Sequence, residues 1–226
     1  MVFRALIVGA VIAALAAAPA SAAPEIDPLQ RCYVAAQPTQ REFVMVNARF
    51  FTPLATVDIF VDDILQPEPS PRAAFDSTLT GSVPAPFVED GQRVFSLRLT
   101  ERTKPENTVS AVSKVTRLAV EQTPERAATD DRVRFRGRGF TKVAPIYAHY
   151  VYAGRSRKTV RIGTPNGDCG LFSVRRRQFP FKRSPRVGVW TIWFDQERVY
   201  NPQASVRFPL EIRVRSRIKP ERARAR

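Results

Sequence analysis

Strict alternation of apolar and polar residues is what most constrains this chain. Val133 and Phe135 alternate with Arg132, Arg134, Arg136 and Arg138, and Val206, Phe208, Leu210, Ile212 and Val214 alternate with Arg207, Pro209, Glu211, Arg213 and Arg215. Trp190, Ile192 and Phe194 share one parity of a third run. A period of two sends alternate side chains to opposite faces, so each run reads as a strand with one buried and one solvated face. No segment beyond the first 22 residues keeps the i, i+3, i+4, i+7 spacing of an amphipathic helix over three turns. Pro84-Ala85-Pro86, Asp90-Gly91 and Pro165-Asn166-Gly167 supply turn signals between the runs. Short strands at this spacing predict an all-β chain built of β-sandwiches.

The runs also recur. Val44 to Thr52 followed by Val57 to Asp62 resembles Val133 to Thr141 followed by Ile146 to Val151: strand, Phe-Thr corner, strand. Downstream, Asp90-Gly91-Gln92-Arg93-Val94-Phe95-Ser96 echoes Asp168-Cys169-Gly170-Leu171-Phe172-Ser173. The two matches stand 89 and 77 residues apart. That difference predicts an insertion in the first copy, at the Pro-rich Gln66 to Arg72. The expected boundary lies near Glu121-Gln122-Thr123-Pro124. It divides a first sandwich, residues 23–122, from a second, residues 123–216, with a basic tail at 217–226.

Gly137, Gly139 and Phe140, then Asp168, Gly170 and Phe172, then Gly188, Trp190 and Ile192 form a Gly-x-Gly-Phe corner, an Asp-x-Gly-x-Phe strand and a late Gly-x-Trp-x-Ile strand. In this the chain resembles secreted bacterial immunoglobulin-like repeat domains. The first copy departs: Ala48-Arg49-Phe50 replaces the glycines, and the late strand is missing or eroded around Val109 to Val120. The resemblance covers most of the chain and rests on structural motifs. It implies tandem immunoglobulin-like sandwiches with a surface role as spacer, adhesin or binding accessory, and it implies no chemistry.

The first 22 residues read as an export leader. Arg4 is the positive head, Ala5 to Ala18 is apolar, and Ala20-Ser21-Ala22 is a small-residue cleavage site. The apolar run is short for a bilayer span, which needs about 20 residues. No later run is long enough to cross a membrane, so the expected product is secreted or envelope-associated. In an exporting compartment Cys32 and Cys169, the only cysteines, are expected to bridge. Free thiols and an intermolecular bridge are the alternatives. An intramolecular bridge would close a loop worth about 5 kcal/mol of chain entropy, less strain.

Charge separates the halves. Residues 23–122 carry 10 basic and 13 acidic side chains, and residues 123–226 carry 25 and 8. Such an asymmetry points the second half at a polyanion. Its candidate contacts are the strand-face arginines Arg132, Arg134, Arg136 and Arg138, with Arg175, Arg177, Arg213 and Arg215, whose planar forks suit phosphate or carboxylate. Arg155, Arg157, Lys158, Lys182 and Arg183 add further basic clusters. The competing reading is a solvated strand face in an arginine-rich chain, with 30 Arg to 6 Lys. Trp193, Tyr147 and His149 are candidates for stacking on single-stranded nucleic acid, or else for ordinary packing. No base-reading motif is present.

Catalytic constellations are poor. A single histidine and two cysteines do not make a zinc site. His149 is the only histidine for a triad. Asp195 and Glu197 could pair as glycosidase carboxylates only if their strand continues past Phe194, and Asp-Gln-Glu reads as a turn. Asp58, Asp62 and Asp63 lack the ligand density of a calcium loop. No P-loop or dinucleotide fingerprint occurs. The expectation is a non-enzymatic binding module without cofactor or metal, contacting an anionic surface polymer: a wall polymer, acidic polysaccharide or lipid head groups. The alternative is a structural spacer docking an acidic protein. No sequence-specific nucleic acid is expected.

Overall fold

The computed structural model describes residues 22–67, 70–204 and 206–215. The expected leader up to Ser21 and the expected basic tail at 217–226 lie outside them. The described residues form sixteen strands and no helix. They are β1 (Glu25–Ile26), β2 (Cys32–Gln37), β3 (Gln40–Arg41), β4 (Phe43–Arg49), β5 (Val57–Val61), β6 (Ile64–Leu65), β7 (Thr78–Pro84) and β8 (Gln92–Glu101). The series continues through β9 (Lys104–Arg117), β10 (Ala119–Thr123), β11 (Arg132–Arg138), β12 (Ile146–Tyr152), β13 (Arg155–Gly163), β14 (Phe172–Arg177), β15 (Gly188–Asp195) and β16 (Arg207–Val214).

Four sheets result. The order β1-β4-β7 faces β3-β2-β9-β8-β5-β6, and β10-β11-β14 faces β13-β12-β15-β16. All pairings are antiparallel except β2 with β9. Alternation places the cores. In β4 Val44, Val46 and Ala48 are buried while Phe43, Met45, Asn47 and Arg49 are exposed. They meet Tyr33, Ile59, Phe95, Leu97 and Leu99 of the facing sheet in one hydrophobic cluster. The second pair encloses Val133, Phe135, Phe140, Ile146, Tyr150, Phe172, Trp190, Ile192 and Phe194. There Phe135 meets Phe194 at 5.3 Å between ring centroids, and Phe140 meets Phe172 edge-on at 5.4 Å. Offset and edge contacts of this kind add to the area these rings bury.

The passage between the sheet pairs falls at Leu118, between β9 and β10. β10 then pairs with β11, so Glu121 to Thr123, where the boundary was expected, already belong to the second pair of sheets.

The strand order corrects the second sequence match. The orders β6-β5-β8-β9 and β13-β12-β15-β16 correspond, as do β1-β4-β7 and β10-β11-β14. The Asp90-Gly91 run opens β8, whose counterpart is β15. The Asp168 run opens β14, whose counterpart is β7. The two look alike because each leaves a positive-φ glycine, Gly91 or Gly170, and turns a Phe inward, Phe95 or Phe172. Many half-buried strands after a tight turn share that pattern. The late strand of the first half is therefore present as β8, and Val109 to Arg117 belong to β9. Val46 pairs with Gly81 as Phe135 pairs with Val174, but the second partners stand further apart along the chain. On balance the extra residues lie in the second half, whose β12–β13 hairpin is long, although the link that follows the hairpin is the longer one in the first half, 66–77 against 164–171, and includes Gln66 to Arg72.

Cys32, at the start of β2, and Cys169, just before β14, are bonded, with Cα atoms 5.1 Å apart. Around the bridge, Lys114 Nζ meets Asp168 Oδ2 at 2.8 Å and Arg31 approaches Asp168 at 3.8 Å. Arg138 of β11 pairs with Asp90 of the first half. Val34 of β2 packs into the second core.

Candidate polyanion-binding surface

The register of β11 against its neighbours builds an arginine face. Arg132 stands directly opposite Arg177, and Arg134 opposite Arg175, on β14. Arg136 stands between Ser173 of β14 and Glu121 of β10. Val133 and Phe135 point the other way into the core, which fixes the parity. Like charges directly opposite on antiparallel strands are destabilising. Two such pairs adjoin on one small sheet whose only outward-facing acid is Glu121. None of Arg132, Arg134, Arg136, Arg175 and Arg177 has a side-chain hydrogen bond or ion pair with another described residue.

The remaining predicted arginines go elsewhere. Arg138 is drawn into the junction, where Asp90 and Glu121 hold its guanidinium and its Nε is buried without a partner. Arg213 and Arg215 lie at the end of β16, on the other sheet. They rejoin Arg177 at one end of the sandwich. There a cleft of about 880 Å³ is lined by Arg126, Arg177, Lys182, Arg183, Arg213 and Arg215 among others, with Glu125, Asp130 and Glu211 as its acids. A second opening, of about 460 Å³, lies at the side of the sandwich among Arg132, Arg175, Arg176 and Arg177, with Tyr150 at its base. Burial pushes the Tyr150 hydroxyl up from its ordinary pKa, against the nearby Arg176 charge, so it stays a neutral hydroxyl.

Of the predicted stacking residues, Trp193 and His149 are occupied, and Tyr147 stays half-buried, 6.5 Å from the His149 ring. Trp193 lies under the Arg207 guanidinium, 4.3 Å from the ring centroid. His149 is fully buried. Its Nδ1 is 2.8 Å from Thr159 Oγ1, and its Nε2 is 3.0 Å from Asp195 Oδ1 and 3.1 Å from the Glu197 carbonyl. Tyr200 covers the ring at 5.6 Å. The segment after β15 thus folds back over the outer face of its own sheet and seals a polar cluster. Asp195 ends β15 and Glu197 follows it outside the strand, so the two carboxylates do not share a strand face. Asp58 accepts from Arg102 and Ser70, Asp62 from Arg93, and Asp63 from Arg98, so these acids serve structural pairs. Among the described residues no cluster of His, Cys, Asp and Glu could hold a metal ion, and no helix is long and apolar enough to cross a membrane.

Sequence reasoning missed a pocket of about 280 Å³ beside the cleft, lined by Tyr152, Arg157, Phe181, Lys182, Arg183, Ser184, Pro185, Arg186 and Trp190. Its basic residues were visible as clusters. Its aromatic floor was not, because Trp190 and Tyr152 have core parity. Neither the family models nor the curated proteins contain a match to this chain.

Proposed function

We propose that this is a secreted, non-enzymatic binding module of two tandem immunoglobulin-like sandwiches, whose second sandwich binds an anionic polymer of the cell envelope. The observation that carries the reading is the double opposition of Arg132 with Arg177 and Arg134 with Arg175. A face that opposes its own charges with a single local acid, Glu121, is under self-repulsion, which a bound polyanion would relieve. The cleft at the end of the sandwich extends the same basic surface, and the β16 arginines reach it. The tandem arrangement is supported by the matching strand orders and the two separate cores. Export is supported by the leader pattern and by the disulfide.

The test is co-sedimentation of the full mature chain with purified envelopes across a salt titration. Binding that is strong at low salt and falls steeply with ionic strength is expected, because neutralising polymer charges releases counterions. Envelope binding that barely responds to salt would instead favour the spacer that docks an acidic protein through an apolar-centred interface. No sedimentation at low salt would leave the arginine face as a solvated surface.

A further inference from the structure

We infer that the pocket formed by Tyr152, Phe181 and Trp190 is the subsite for one acidic sugar ring of the polymer, which makes the ligand an acidic polysaccharide. The inference rests on the polyanion reading and narrows it.

The pocket couples an aromatic floor to a rim whose only charges are basic. Tyr152 and Trp190 lie 4.9 Å apart and Phe181 packs on Trp190 at 5.3 Å. The polar atoms of the two larger systems are spent internally: Tyr152 Oη donates to the Val187 carbonyl and Trp190 Nε1 to the Arg186 carbonyl. The floor therefore offers ring carbon and little hydrogen bonding of its own. Arg157, Lys182, Arg183 and Arg186 surround it, and no acid lines it. The side chains of Arg157, Arg183 and Arg186 form no hydrogen bond or ion pair with another described residue.

A ligand that fits must present a flat apolar face and an anionic group on the same small unit. At about 280 Å³ the space is just below the usual range for ligand pockets, roughly 300–1,000 Å³, and suits one ring. A pyranose carrying a carboxylate or sulfate meets both demands: its C–H face lies on the aromatic floor, and its anion takes an arginine fork. Linear polyphosphate has no apolar face. Single-stranded nucleic acid is recognised by successive stacking platforms along a basic groove, and here there is one platform, the half-buried rings of Tyr152 and Phe181 with the buried Trp190 behind them. Phe181 to Pro185 line both this pocket and the larger cleft, so neighbouring units of a bound chain continue into it.

The experiment measures binding of the full mature chain to four probes: an oligomer of galacturonic acid, inorganic polyphosphate of equal charge, oligo-dT, and phosphatidylglycerol vesicles. The galacturonate oligomer is expected to bind at least about tenfold tighter than polyphosphate, because only its sugar ring also buries an apolar face on the floor. Arg157→Ala with Arg183→Ala should erase that preference, and Arg134→Ser with Arg175→Ser should weaken both polymers. Tyr152→Leu should also erase the preference. The exposed arginine pair keeps the test decisive should Tyr152→Leu unfold. Equal binding of galacturonate and polyphosphate in the parent chain, lowered equally by the pocket variants, would overturn the subsite and leave polyanion binding standing. Tighter binding of oligo-dT or vesicles, lost in Tyr152→Leu, would overturn the saccharide assignment. Binding of no probe would remove both readings together.

Discussion

Gly170 shows how much a single position decides. It sits at φ +60°, and a Cβ there would lie 2.1 Å from the Phe140 carbonyl oxygen and 2.2 Å from its carbon. The Phe140 N–H in turn donates to the Gly170 carbonyl, and the Gly139 N–H to that of Cys169. Two corners pack backbone on backbone here, which is the physical content of the Gly-x-Gly-Phe and Asp-x-Gly-x-Phe motifs. Gly170→Ala should therefore destabilise by more than about 3 kcal/mol, beyond the usual range for point changes, as read by urea unfolding. A cost under about 1 kcal/mol would mean the corners are looser than described. His149 is the converse case. Its burial was not legible, because the covering residues Glu197 to Tyr200 carry no periodic pattern and nothing local links them to β12. Removing the imidazole would leave the Asp195 carboxylate with only the Glu197 N–H on Oδ1, its Oδ2 being already buried without a partner. His149→Leu should cost about 3–5 kcal/mol, and the double variant with Asp195→Leu clearly less than the sum of the singles. Additive losses in a double-mutant cycle would show that the two side chains do not act as a pair.

Among elements, the β11–β14 pair is where sequence and structure differ most instructively. Alternation in Arg132 to Arg138 was enough to place four arginines on one side of a strand. It could not show that Arg138 would be captured by Asp90, nor which arginines would oppose each other, because register depends on the neighbour and β14 lies far along the chain. The same ignorance of neighbours misaligned β8 with β14, since local pattern describes a strand's faces and turns but not its place in a sheet. The opposition makes a prediction at this scale. Arg175→Ser should stabilise the fold by about 0.2–1 kcal/mol, more at low salt than at high, while weakening polyanion binding. Thermal melts at two ionic strengths check it. A destabilised variant would mean that the arginine is held by packing and that its charge is incidental.

At the scale of the whole molecule, the Cys32–Cys169 bond and the charges around it join two cores between which the chain passes at Leu118, with Val34 of β2 packed into the second. The pairing was one of the alternatives that cysteine count and the expected export leader left open. The side-chain network around it was not legible, because Arg31, Lys114 and Asp168 are distant in sequence and unremarkable in pattern. Replacing both cysteines by serine should lower stability by about 2–5 kcal/mol, measured by denaturant unfolding. The hydrogen bond from Lys114, then its charge, holds the Asp168 carboxyl below its ordinary value, with Arg31 adding to the effect. A lowered folded-state pKa contributes stability above the ordinary carboxylate range, and that stability is lost as pH falls through the folded value. Asp168→Asn should therefore melt lower than the parent at pH 7, with the difference closing towards pH 3. A difference independent of pH would assign the effect to shape alone.

The basic half and the near-neutral half are held in one covalent frame, so what the arginine face does belongs to the intact protein. The most direct measurement is a pair of salt titrations of binding to inorganic polyphosphate, one with the parent chain and one with Arg132, Arg134, Arg175 and Arg177 all changed to serine. If the face binds polyanions, the slope of log affinity against log salt should be shallower in the variant by roughly three, the loss of about four phosphate contacts. Equal slopes in the two proteins would contradict it and return the arginine face to the role of a solvated surface.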